Sequence, residues 1–405
     1  MRAQTVSGPR TKRRVRLCRV LMLAPLIAAG AANARTVLDI QGAANVRVAS
    51  NPLLVDVDDS GAISGEVSLT PRLTFSEAEG SVLIQATVRH IEYSRLYRSS
   101  DAVLASANGN WRLDPRTTIN ANFGFDDSIA GETGDFARDR EPGTIIDDFT
   151  LSGLRVKRRL IQSGIGISHQ PDARQNVALN LFASSTRVLD QQPLFQAGDY
   201  ASYGGVFAYN RVLNERATVG LSVNTLQYEC RSGPRCPTFI VQPELTGSLR
   251  LARQWTLEGS VGVSRARQRF TGDSQTTVSA SGSLSICRED ARTNFCLSGR
   301  REVEPTAGNG AQSTTSITSF WRYRVTPRTS ISADVGYAES SGSQLQFIDE
   351  RFRFINARIS GTRQISERFG ITLQGGYANS DSTLVGNRSN FDASIGISFS
   401  LEPRR

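Results

Sequence analysis

The chain has 405 residues, 39% of them apolar and 21% charged, and a formal charge of +9 at pH 7. Seven of the positive charges (Arg2, Arg10, Lys12, Arg13, Arg14, Arg16 and Arg19) lie in the first 34 residues with no acid among them, which leaves +2 for the rest. Charges of both signs spread through that remainder argue against a nucleic-acid partner, because counterion release needs a clustered basic face.

The first predicted element is an export signal over residues 1–34. A basic stretch precedes the apolar run Val20–Ile27, and Ala32-Asn33-Ala34 supplies the small residues at which a signal peptidase cuts. The run is too short to cross a bilayer as a helix, which takes roughly 20 residues. Cleavage is expected after Ala34, so Cys18 leaves with the signal and residues 35–405 form the mature domain.

From there the chain alternates apolar and polar residues at period two, segment after segment. Leu38, Ile40, Ala44, Val46 and Val48 alternate with Asp39, Gln41, Asn45 and Arg47. Similar segments are Ile119–Phe125, Trp255–Val263, Val278–Ile286 with serines between, Ile331–Tyr337 and Phe369–Tyr377. The last is the clearest: Phe391, Ala393, Ile395, Ile397, Phe399 and Leu401 form one face, and Asp392, Ser394, Gly396, Ser398 and Ser400 the other. Strands are predicted near 37–49, 62–75, 81–96, 101–113, 118–126, 148–170, 175–189, 200–213, 217–229, 237–251, 255–269, 275–287, 292–303, 314–325, 329–340, 350–364, 367–378 and 389–401. That makes eighteen if 148–170 is one strand, with sixteen as the alternative.

A soluble β-sandwich would show the same alternation. Two features favour an all-β transmembrane antiparallel barrel in the outer membrane of a Gram-negative bacterium. Short connections such as Asp114–Thr117, Arg253–Gln254 and Thr326–Arg328 alternate with longer ones near 51–61, 127–147, 190–199 and 304–313, as periplasmic turns and outer loops do. Trp111, Trp255, Trp321, Tyr323 and Phe399 also fall near strand ends, where an interfacial belt would place them. The final strand resembles the signal read by the barrel-insertion machinery, although Phe399 is followed by Ser-Leu-Glu-Pro-Arg-Arg.

Cys230 with Cys236, and Cys287 with Cys296, are spaced as two loop-stapling disulfides for an oxidising compartment. Zinc would need further ligands, and the only histidines, His90 and His169, are distant in sequence. Neither histidine has a nucleophile and an orienting acid in a recognisable arrangement, so no catalytic residue, metal or cofactor is expected.

Three short stretches, Val46-Arg-Val-Ala-Ser-Asn-Pro-Leu-Leu54, Ser68-Leu-Thr-Pro-Arg-Leu-Thr-Phe75 and Ile91-Glu-Tyr-Ser-Arg-Leu-Tyr97, resemble the outer-membrane β-barrel porins associated with exopolysaccharide biosynthesis and export. The family's first hairpin carries a similar Asn-Pro-aliphatic turn, its second strand a proline and its third several tyrosines. The resemblance implies a channel taking part in exopolysaccharide export or assembly, with periplasmic export components and an anionic polysaccharide as partners. A general diffusion porin for small solutes is the alternative, and a pore-less or enzymatic barrel a further one.

If polar faces point inward, the lumen collects Arg47, Arg72, Arg89, Arg112, Arg250, Arg322 and Arg324 with Glu66, Glu244, Glu258, Asp334 and Asp392. Arginines in that position suit carboxylates, or simply pair with acids across strands. Arg265 and Arg267 break the phase by continuing the apolar face, so the strand leaves the membrane after Val263 or carries a bulge. The charged connector 127–147 is expected to be a surface loop rather than an inward-folded constriction.

Overall fold

The computed structural model describes all residues except 1–34, 55–59, 96, 131–155, 190–198, 231–236, 271–272, 307–309, 346–347, 384–385 and 402–405. The expected signal segment and Cys236 therefore lie outside the described residues. The strands are β1 (Arg35–Ala49), β2 (Ala62–Ser76), β3 (Gly80–Tyr93), β4 (Ser100–Asp114), β5 (Thr117–Ala130), β6 (Val156–Asp172), β7 (Gln175–Val188), β8 (Tyr200–Asn214) and β9 (Ala217–Cys230). They continue as β10 (Thr238–Ala252), β11 (Trp255–Phe270), β12 (Asp273–Glu289), β13 (Thr293–Thr306), β14 (Gly310–Thr326), β15 (Thr329–Leu345), β16 (Ile348–Gln364), β17 (Phe369–Ser382) and β18 (Gly386–Leu401).

All eighteen pair antiparallel with their sequence neighbours, and β1 closes on β18 from Ile40–Leu401 to Ala49–Asp392. The protein is a closed all-β barrel. The ladder runs unbroken round the wall, so the backbone groups of the spanning strands pair within the sheet over the membrane band, as hydrocarbon demands of any spanning structure.

Parity fixes the faces. Val46 and Val48 of β1, Val67 and Leu69 of β2, Val261 and Val263 of β11, and Ile395 and Ile397 of β18 are half or more exposed, or nearly so. These outward rows belong to lipid, and the alternate residues belong to the lumen. Across the β1–β18 seam the Phe399 ring covers Gly42, where an added Cβ would fall on the ring itself.

Six of the periplasmic turns share one local device. The side chains of Asp114, Asp172, Asn214 and Asp290 accept the backbone N–H two residues on, at 2.7, 2.7, 2.8 and 2.9 Å, from Arg116, Arg174, Arg216 and Arg292. Thr326 and Ser366 do the same for Arg328 and Arg368. Such side chains mimic a backbone turn and so stop each strand tightly. Trp111, Trp321 and Phe369 stand outward near these turns, and Trp321 stacks on Tyr323 with centroids 6.1 Å apart.

Several expectations change in detail. β5 runs on to Ala130, so Asp127 belongs to a strand and not to a connector; its carboxylate pairs with Lys157 and Arg159 on the outward face. Residues 131–147, and with them the loop-or-constriction question, lie outside the described residues, as does 148–155 of the long predicted strand. No bulge swaps the faces of β11: Arg265 stays in register with Val241 and Val278, so the strand carries its outward row past the apolar band. Cys287 and Cys296 staple no loop, because β12 and β13 extend into the predicted turn. The two are register partners joined by a disulfide, and the turn shrinks to residues 290–292.

Candidate channel lumen

The inner wall is built from short polar side chains that satisfy one another across strands. Hydroxyl pairs recur around it: Thr70 with Thr87 at 2.8 Å, Ser184 with Ser202 at 2.8 Å, Ser260 with Ser283 at 2.9 Å, Ser298 with Thr318 at 2.7 Å and Ser332 with Ser360 at 2.8 Å. Period two places these groups inward wherever an apolar neighbour faces lipid. A bay of about 660 Å³ opens along the wall towards the periplasmic end, lined by Asn176, Asn210, Thr218, Glu244, Thr246 and Glu258 among others.

Strand parity puts Arg47, Arg72, Arg89, Arg112, Arg250, Arg322 and Arg324 on this face, opposite inward residues such as Ser64, Asp39, Ser68, Thr118, Thr256, Ser332 and Ser330 respectively. They do not converge on one centre. Arg47 pairs with Asp392 at 3.1 Å near the outer end, whereas Arg112 borders a bay by the periplasmic turn at residues 77–79. Four further arginines face inward: Arg158, paired with Asp126 at 3.3 Å, Arg300 with Glu302, Arg358 opposite Asp334, and Arg388. Arg158 was hidden because Lys157-Arg158-Arg159 reads as a charged break, while the structure alternates it with outward Lys157 and Arg159.

The outer mouth is narrowed by two segments. The first is the connection after β1. Pro52, Leu53 and Leu54 are almost wholly buried. Leu53 packs with Ala62, Ile91 and Tyr93 and with Tyr97 of the connection after β3, and Leu54 with Phe352, Phe354 and Ala378, the strand residues all on inward rows. The segment thus lies along the inner wall from β3 round to β16. It is tied down by Asn51 N–H donating to Asn390 Oδ1 at 2.8 Å and by Arg388 donating to the Leu54 carbonyl at 3.0 Å. Leu54 has a φ of 52°, a left-handed conformation that a branched residue holds only when its surroundings enforce it.

The second is the outer end of β13 and β14. β12 and β13 pair only as far as Gly282–Arg301, after which β13 crosses to the lumen side of β12. There Val303, outward by parity, packs on the inward Ile240 and Ala266, with Leu226 beside them. Glu302, Glu304, Gln312 and Thr314 are buried by the same excursion. Its sequence signal is faint: Val303 sits amid glutamates, and nothing in the alternation announces that the strand will leave its neighbour.

Neither histidine faces the lumen. His90 lies outward beside Asp101 at 2.7 Å, and His169 outward at the opposite end, beside Thr117 at 3.0 Å.

An apolar outer belt, a polar inner face and a closed hydrogen-bonded wall describe a barrel made for lipid. The protein is a transmembrane barrel of the Gram-negative outer membrane. No protein-family model matches the chain, and no curated protein does either. The solved structures it is similar to include three Pseudomonas aeruginosa proteins. OccK7 (OpdD) is 12% identical, with 92% of this chain and 100% of that one covered at a TM-score of 0.48. OpdK, solved with vanillate, is 10% identical, with 90% and 99% covered at 0.48. OprD is 8% identical, with 92% and 98% covered at 0.47. Likeness at this level is one of barrels in general and carries nothing about substrate.

Proposed function

We propose that the barrel is a passive channel for small hydrophilic solutes, the diffusion-porin alternative of the sequence reading. The observation that carries it is the continuous polar inner face of the eighteen-stranded wall, narrowed at its outer mouth by two segments packed against that wall. At a strand spacing of about 4.8 Å and a tilt near 40°, such a wall is about 35 Å across, wide enough for water even after side chains and both segments are placed. The seven expected arginines, together with Arg158, Arg300, Arg358 and Arg388, line the path. Acids such as Asp39, Glu66, Asp126, Glu244 and Asp392 share the same face, so charge selectivity is weak.

Proteoliposome swelling in a size series of neutral sugars tests the reading. Swelling that falls steeply with solute size supports it, and no swelling even in the smallest sugar overturns it. Polysaccharide export rests on the three short N-terminal motifs alone, and one of them, Asn51–Leu54, is occupied in narrowing the mouth. Export, with periplasmic export components and an anionic polymer as partners, would be favoured by gene deletion that abolishes secreted polymer and leaves small-solute uptake unchanged.

A further inference from the structure

Outward residues of β11 change character abruptly: Leu257, Gly259, Val261 and Val263 give way to Arg265, Arg267 and Arg269, all exposed. At about 3.3 Å per residue and a tilt near 40°, Trp255 to Arg265 climbs about 25 Å, the height of the apolar band of such barrels. The three guanidinia therefore begin where hydrocarbon ends and outer-leaflet headgroups start.

Their register neighbours on the outward face are Val241 and Val278 for Arg265, Phe239 and Thr276 for Arg267, and Ser274 for Arg269, so no carboxylate stands opposite any of them. Two other outward clusters on this rim do hold a carboxylate, Asp127 beside Lys157 and Arg159, and Glu339 beside Arg351 and Arg353. Phe239 and Val278 stay exposed among and below the arginines. Behind them Ala266 is pinned by Val303, which holds β11 in place at this level.

We infer that Arg265, Arg267 and Arg269 form a docking site for a phosphorylated glycolipid of the outer leaflet. The phosphates sit on the guanidinia, whose planar forks suit them, and the acyl chains run down Phe239, Val263 and Val278. The site faces lipid and is independent of what crosses the lumen.

The test is native mass spectrometry of the full-length folded barrel in neutral detergent, titrated with bis-phosphorylated lipid A and with the same lipid stripped of its phosphates. The wild type is expected to hold the phosphorylated form about tenfold or more tighter than the stripped form. R265Q/R267Q/R269Q is expected to lose that preference while keeping its heat-modifiable gel mobility. R216Q/R253Q/R292Q, which removes equal charge at the opposite rim, is expected to keep it. Equal binding of the two lipids by the wild type would overturn the site without recourse to any variant. So would an unchanged preference in the first triple variant, or an equal loss in the second.

Discussion

Releasing the inner segment after β1 should open the outer mouth without unfolding the barrel, and the double substitution L53A/L54A does this most directly. Leu53 is 1% exposed and Leu54 fully buried, each against a separate cluster on the inner wall. Truncating a buried leucine costs about 2–5 kcal/mol, so the pair removes about 4–10 kcal/mol from this segment's attachment. The hydrogen bonds that remain include Asn51 N–H on Asn390, Arg388 on the Leu54 carbonyl, Phe391 N–H on Ser50 Oγ at 2.8 Å and Ser50 N–H on the Phe391 carbonyl at 2.9 Å. Such bonds are worth about 0.5–1.5 kcal/mol each, and the left-handed Leu54 adds a strain of about 1–2 kcal/mol that favours release. With both leucine clusters gone, these bonds and the buried Pro52 are left to hold the segment. Single-channel recording of the refolded variant should show a larger conductance than the wild type, with gel mobility still heat-modifiable. A folded variant with wild-type conductance would refute the idea that this segment narrows the path.

Other substitutions probe the wall and its turns. In the turn between β12 and β13, the backbone N–H groups of Arg292 and Thr293, with Arg288 adding its charge, hold the Asp290 carboxyl below its usual range. A depressed carboxylate contributes stability that is full above its unfolded value of about 4 and is lost as pH falls through its folded value. Unfolding of D290A, followed by gel mobility, should therefore lose ground to the wild type at neutral pH and approach it below about pH 3. G42V should drive its side chain into the Phe399 ring and weaken the closing seam by about 1 kcal/mol or more, read as a lower temperature of the gel-mobility transition. C287S/C296S should lower that transition too. A cross-link spanning nine positions removes about 2–3 kcal/mol of chain entropy from the unfolded state, an upper figure here because the turn already holds the strands together. Equal transitions for oxidised and reduced wild type would count against that contribution.

The alternation of β18 from Phe391 to Leu401 could be read straight from the sequence because outward residues there meet lipid and inward ones the lumen; Arg388 and Asn390, just before it, meet the segment after β1. Arg265 and Arg267 offered a choice that only pairing resolves, since a bulge and an exit from the membrane leave the same residues in the same order. The inward segment Asn51–Leu54 was legible as a motif but not as a structure. An Asn-Pro turn followed by two leucines reads as an ordinary connection until Phe352 and Phe354, about three hundred residues later, are brought beside it by barrel closure. Val303 was still less legible, because its burial depends on β13 parting from β12, and the period-two pattern continues unbroken through that point. Arg158, Arg300 and Arg358 escaped because each lies in a strand with charges on its outward face as well, and Arg388 because β18 begins at Gly386, before the predicted start at 389.

Planar-bilayer recording with the folded, heat-modifiable wild type tests the central claim most directly. Stepwise, ohmic conductance is expected, persisting in impermeant-anion and impermeant-cation salts alike, with only weak selectivity. A correctly folded barrel that inserts and passes no current would contradict it and return the lumen to a structural role.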